Sequence, residues 1–245
     1  MSVYIDDPKY LLAGESCVVI EFANEISREA NDAVMQMKEW LLSQGSLAIT
    51  ECLPTYRSLA VYFDALNTEP EQIIEAAKSA PKCTAEESAL RTEINIPVCY
   101  GGEYGPDLAN VAEHAGITAE EVIKRHTERV CHCYMIGFLP GFAYLGGMDE
   151  SIATPRLAVP RTKIAGGSVG IAGKQTGIYP IESPGGWQLI GRTPIRMFDV
   201  NNTKSPTAVK AGYDVRFVRV SEEEYKRIER EAAEGTYKPD IREVR

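Results

Sequence analysis

Three arginines lie in one Gly- and Pro-rich block of this 245-residue chain: Arg156 in Thr-Pro-Arg, Arg161 in Val-Pro-Arg and Arg192 in Gly-Arg-Thr. Each follows a proline or a glycine, residues that fix φ or permit close backbone approach. A guanidinium fork suits a carboxylate or phosphate presented to two of its N–H groups. One such arginine reads equally well as a surface ion pair. Three in one block of a chain with net charge −9 point to a bound small anion. Within the block, Ser183-Pro-Gly-Gly-Trp187 sets the backbone N–H groups of Gly185 and Gly186 beside the large ring of Trp187. Such a turn grips an oxyanion or carboxylate, or else simply turns the chain with Trp187 in the core. Gln175, Thr176 and Tyr179 precede it and offer hydrogen bonds to an amide or urea-like group. His126 closes a predicted helix, where its ring can interact with the dipole or move a proton near neutral pH. The chain has three histidines, and their spacing assembles no Ser-His-Asp triad.

Other chemistries are set aside on pattern. Cys131-His132-Cys133 falls in an apolar run of strand character, where alternate side chains face opposite ways, so three metal ligands do not converge. No metal site is expected. Ser168 to Gln175 resembles a phosphate-binding loop but has Ser where the first Gly belongs and Gln where Ser or Thr belongs. An excess of 35 acidic over 26 basic residues argues against a nucleic-acid binder. The N-terminus carries no signal-peptide pattern, and no segment reaches the roughly 18 to 20 apolar residues of a membrane span, so the chain reads as cytoplasmic with reduced thiols.

The positioning elements split into two textures. Over the first ninety residues, a β-rich run at Cys17–Phe22, helical periodicity from Ile26 to Leu42, strands near 47–53 and 59–63, a helix over 71–80 and a strand at 94–100 predict a ferredoxin-like β-α-β-β-α-β layer. A further strand is expected near residues 4–12. A polar stretch around Glu87–Thr92, with a capping box from Thr84 to Glu87, marks the boundary between domains 1–90 and 91–245. Beyond it come two short helices, 107–115 ended by Gly116 and 118–126 opened by a Thr118–Glu121 capping box. Short strands punctuated by Gly and Pro then run from about 130 to 220, as in a barrel or sandwich. A charged helix starts at Ser221. The fold class is α+β.

Read together, Pro97-Val-Cys-Tyr-Gly-Gly-Glu-Tyr-Gly-Pro-Asp-Leu108, Glu121-Val-Ile-Lys-Arg-His126, Gly137-Phe-Leu-Pro-Gly-Phe-Ala-Tyr-Leu-Gly-Gly147, Gly167-Ser-Val-Gly-Ile-Ala-Gly173, Gln175-Thr-Gly-Ile-Tyr-Pro180 and Pro184-Gly-Gly-Trp187 resemble the KipI / allophanate-hydrolase-subunit-1 family, also called carboxyltransferase subdomain C. Thr154-Pro-Arg156, Pro160-Arg161 and Gly191-Arg-Thr193 extend the likeness over nearly the whole chain. The resemblance implies a small N-terminal α/β domain followed by a cyclophilin-like β-barrel. It implies one component of a bacterial 5-oxoprolinase, which hydrolyses 5-oxoproline to glutamate with consumption of ATP. Its partners would be the KipA-like and LamB-like components of that enzyme, with ATP bound at the partner. KipI-type inhibition of a sporulation histidine kinase and a biotin-dependent urea-type carboxyltransferase half are the alternatives it carries. The chain departs from the family pattern at Ala165, Cys131 and Ala143, where Pro, Tyr and Pro are usual.

Overall fold

The computed structural model describes residues 4–81 and 91–244, with side chains from residue 7 onward. The capping box expected at Thr84–Glu87 and the thiol of Cys83 lie outside the described residues. Contacts divide the chain into two compact units, Met1–Leu90 and Arg91–Arg245.

The first unit contains β1 (Tyr4–Leu12), β2 (Cys17–Ala23), α1 (Arg28–Ser43), β3 (Ile49–Pro54), β4 (Ser58–Phe63) and α2 (Pro70–Lys78). Alternate residues of β2 and β4, such as Val18, Ile20, Leu59 and Val61, are fully buried against Val34 and Leu41 of α1 and Ile73 of α2. That period of two against a helical stripe puts both helices on one face of the sheet. Ser27 caps α1 by accepting the Ala30 N–H at 3.1 Å. Pro70 opens α2, where a missing N–H costs nothing, and Glu69 and Gln72 cap each other reciprocally. The sheet is antiparallel in the order β1-β2-β4-β3. The strand over 94–100, expected to complete this layer, belongs instead to the second unit, and β1 holds the place beside β2. An apolar strand does not disclose in sequence which sheet it will join.

The second unit runs β5 (Arg91–Tyr100), α3 (Leu108–Ala115), α4 (Ala119–Glu128), β6 (Val130–Ile136), β7 (Ala143–Gly146), β8 (Arg161–Ile164), β9 (Ser168–Ala172), β10 (Gln175–Ile178), β11 (Ser183–Gly185), β12 (Gln188–Arg192), β13 (Asp214–Arg219), α5 (Glu222–Glu234) and β14 (Asp240–Val244). Strands β12-β9-β10-β7-β6-β13-β5 are neighbours in that order. β5 pairs back onto β12 through Tyr100↔Gly191 and Cys99↔Arg192, which closes a seven-stranded barrel. Closure needs two glycines: a Cβ on Gly191 would stand 2.6 Å from Val98 Cγ1, and one on Gly105 would stand 1.9 Å from the Ile190 carbonyl oxygen. β14 adds to β5 outside the ring, and β8 and β11 form a separate two-stranded ribbon. Ile96, Val98, Leu145, Ile171, Ile178 and Phe217 fill the interior, and α3 and α4 add Val111, Val122 and Ile123 to it.

The box expected at Thr118 is half realised, and the helix start at Ser221 behaves alike. Thr118 and Ser221 accept the N–H groups of Glu121 and Glu224, but those carboxylates turn to Arg125 and Arg227. In β6, Cys131 and Cys133 face the interior core, while Nδ1 of His132 lies 3.1 Å from Asp214 on β13. The three side chains therefore occupy two faces of one strand. No helix among the described residues is long and apolar enough to cross a membrane.

Candidate functional site

Strand parity decides what the barrel presents outward. In β10, Thr176 and Ile178 point inward, so Gln175 and Gly177 point outward, as does Tyr179 just beyond the strand. In β9, Val169 and Ile171 point inward, so Gly170 and Ala172 point outward. Trp187 lies over this floor. A Cβ on Gly177 would sit 2.9 Å from Trp187 Cζ3, and one on Gly170 would sit 3.1 Å from Trp187 Cβ. The indole therefore reaches the strands because the residues beneath it carry no side chains. Phe142, Tyr179 and Trp187 pack edge to face, with centroids 5.5, 5.5 and 6.3 Å apart, and Tyr144 extends the cluster.

Two of the three expected arginines meet at this shelf. Arg156, exposed, places its guanidinium 5.9 Å from the centre of the Trp187 ring. Arg161 opens β8 opposite Gly185 of β11, and its Nη2 donates to Asp107 Oδ1 at 2.7 Å. The Arg161 Nη1 is enclosed and makes no hydrogen bond. Burial raises the Tyr179 phenol above its ordinary pKa, while the Trp187 backbone N–H donating to its oxygen and the charges of Arg156 and Arg161 pull it back down. Both guanidinium groups thus act on the same phenol.

Gly185 and Gly186 form no open turn. Ser183–Gly185 is strand, Gly186 accepts the Leu157 N–H at 2.7 Å, and the Trp187 N–H is spent on Tyr179. Gly185 is needed for space, since a Cβ there would stand 2.3 Å from the Tyr179 hydroxyl oxygen; Gly186 meets nothing closer than 3.5 Å.

Arg192 goes elsewhere. Its guanidinium stacks on Tyr104 at 5.7 Å and its charge acts on Tyr225. Tyr104 also lines an open groove of about 730 Å³ with Cys99, Gly101, Arg219 and Glu222. That groove mixes both signs of charge. The expected trio is thus a pair at the shelf and one arginine on another flank, because sequence proximity at the end of β12 does not fix where a long side chain lies.

His126 is likewise displaced from the role of an accessible proton-transfer group. It is fully buried in the barrel, with Nδ1 2.8 Å from the Tyr100 hydroxyl and Nε2 2.8 Å from Thr176 Oγ1. Burial pushes its pKa down to about 3. The helix end carries the ring inward rather than toward the shelf.

Two residues were missed in sequence. Asp107 stands at the N-cap of α3 yet does not cap it; its Oδ2 accepts the Leu189 N–H at 2.7 Å while Oδ1 holds Arg161. An Asp before a helix reads as a cap, which hides this use. Phe138 has φ +66°, and the Leu139 N–H donates to the Gly137 carbonyl at 2.8 Å, a tight turn that strains a residue with a side chain. Its ring is two-thirds exposed and meets Phe142 edge to face, centroids 5.7 Å apart. Positive φ at Phe leaves no trace in composition.

The nucleotide that the resemblance implies does not fit the Gly-rich stretch. Residues 168–178 form the β9–β10 hairpin, with no helix following, and Lys174 is 2.7 Å from Glu150. A phosphate cradle needs a loop opening a helix, so this stretch supplies none.

The profile of the carboxyltransferase domain, subdomain C and D, matches residues 8–209. The chain is 43% identical over 223 residues to the B component of the 5-oxoprolinase of Bacillus subtilis (strain 168), which covers 86% of this chain and 92% of that protein. Among solved structures it resembles TTHA0988, with a TM-score of 0.75 and 30% identity over 84% of this chain, and spans 40% of that longer chain. It also resembles the conserved uncharacterized protein PH0987 from Pyrococcus horikoshii, at 43% identity and a TM-score of 0.53, over 89% of this chain and all of that one.

Proposed function

Since this chain belongs to the carboxyltransferase domain, subdomain C and D, family, we propose that it is the B component of an ATP-dependent 5-oxoprolinase. It works with the LamB-like and KipA-like components of that enzyme to hydrolyse 5-oxoproline to glutamate. The observation that carries this reading is the 43% identity to the Bacillus subtilis component across 92% of that protein's length. The shelf fits the substrate's chemistry. 5-Oxoproline is a five-membered lactam bearing a carboxylate, and the shelf sets two guanidinium groups beside an aromatic wall. Arg156, exposed above the Trp187 ring, takes the carboxylate, and the 31%-exposed Arg161 side chain adds its positive charge beside it. Trp187 and Tyr179, both buried, back the guanidinium groups from beneath, and Gln175 faces the same side for the lactam amide. Asp107 holds Arg161 in place. ATP is held by a partner, and the chain is inactive alone: among the described residues the shelf has no nucleophile paired with a base. The test is co-expression with the LamB-like and KipA-like partners followed by measurement of ATP-dependent glutamate release from 5-oxoproline. Release is expected from the full complex and not from this chain; a full complex without release sinks the proposal.

A further inference from the structure

Beneath the shelf, a single-file hydrogen-bond chain crosses the barrel interior. Thr176 Oγ1 lies 3.1 Å from the Gly170 carbonyl, which can only accept, so the hydroxyl donates there. Its lone pair is then the acceptor for His126 Nε2–H at 2.8 Å. In a neutral imidazole the other nitrogen is bare, so Nδ1 accepts the Tyr100 O–H, also at 2.8 Å. The ring is clamped further by Phe217, 4.4 Å away centroid to centroid. Every donor points the same way, from β5 through α4 and β10 to β9.

The chain ends where the shelf is weakest. Gly170 and Gly177 are paired across β9 and β10, and neither has a side chain to fix the strand against its surroundings. Trp187 rests on both from outside. We propose that Tyr100, His126 and Thr176 are positioning residues that hold the glycine floor from inside, and so set the height and tilt of Trp187 and the guanidinium above it. The inference rests on the reading of the shelf as the substrate site. None of the three touches substrate.

The discriminating pair is Thr176→Val, which keeps the shape and removes the hydroxyl, and Thr176→Ser, which restores it. In the reconstituted complex, Thr176→Val raises the KM for 5-oxoproline by about 5- to 10-fold with kcat changed less than about 3-fold, and Thr176→Ser recovers most of the loss. In the full chain alone, on a Trp40→Phe background, Thr176→Val shifts the Trp187 emission and Thr176→Ser returns it. Should Thr176→Val fail to fold, Tyr100→Phe cuts the chain at its far end and is read the same way. Unchanged emission and KM in the folded variant, or equal shifts for Val and Ser, overturn the proposal. If the wild-type complex shows no hydrolysis, the substrate reading fails while the emission arm still decides this one.

Discussion

Replacing Gly185 by Ala tests whether the ribbon of β8 and β11 is fitted to the shelf or merely lies near it. The added methyl would stand 2.3 Å from the Tyr179 hydroxyl oxygen, 2.7 Å from its Cζ and 2.8 Å from Ile164 Cδ1. Carbon–carbon contacts settle near 3.5 to 4.0 Å, so the ring must withdraw by about 1 Å. It has nowhere to go: Tyr179 is 2% exposed and wedged between Phe142 and Trp187. Overpacking of this kind costs about 1–3 kcal/mol. Withdrawal also breaks the bond from the Trp187 N–H, worth about 1 kcal/mol. Together these lower the Tm of the barrel by roughly 5–15 °C, at about 2–4 °C per kcal/mol for a unit of this size. Gly186→Ala is the control, since its Cβ meets nothing closer than 3.5 Å and its Tm should move by less than about 2 °C. Circular-dichroism melts of both variants, with Gly185→Ala/Tyr179→Phe to remove the closest clash, give the comparison. Equal shifts for the two glycines, or no gain from the double variant, would refute the packing argument.

Arg156→Ala and Arg161→Ala in the reconstituted complex should each raise the KM for 5-oxoproline about tenfold or more; full activity in both would end the anion reading. Because burial holds the folded pKa of His126 near 3, below the ordinary 6.5, only the unfolded chain takes up a proton between those values. Stability is therefore complete above about pH 6.5 and falls on acidification by up to about 1.4 kcal/mol per unit, a slope that urea titrations should find reduced in His126→Phe. Phe138→Gly relieves a strained φ of +66° and should be neutral or stabilising by up to about 1 kcal/mol, whereas β-branched Phe138→Val should cost about 1–2 kcal/mol; denaturant midpoints in the opposite order would show the turn to be unstrained.

Periodicity located the elements because burial dictates it. The helices at 28–43, 70–78, 108–115 and 119–128 fall within a few residues of expectation, as does the strand-rich texture after 130. Which sheet each strand joins was not legible, and the 94–100 strand shows why. Its apolar alternation suits either sheet, and only the close approach allowed by Gly105 and Gly191 commits it to β12. At the site, residue types gave Arg156, Arg161, Tyr179 and Trp187 as neighbours in sequence that are also neighbours in space. Arg192 follows the same pattern and separates, since a long side chain is placed by what it stacks on, here Tyr104. His126 reads through its helix position and Asp107 passes unnoticed at the start of one, and in both the side chain ignores its own helix for a partner far along the chain.

The barrel wall uses its two faces for different work, and strand parity keeps them apart. Inside, Thr176 links His126 to the Gly170 carbonyl; outside, one residue along, Gly177 leaves room for an indole. A single-residue slip of β10 would exchange these faces, burying Gln175 and exposing Thr176, so the register that closes the barrel also defines the shelf. An outward shelf with an exposed guanidinium and an exposed phenyl ring leaves any ligand half in water, where charge–charge attraction is weakest. Opening a lactam demands strong, water-excluded polarisation of its carbonyl. On the proposed reading Arg156 anchors the substrate from one side, and the chemistry requires a cover on the other, the part proposed for the partner chains.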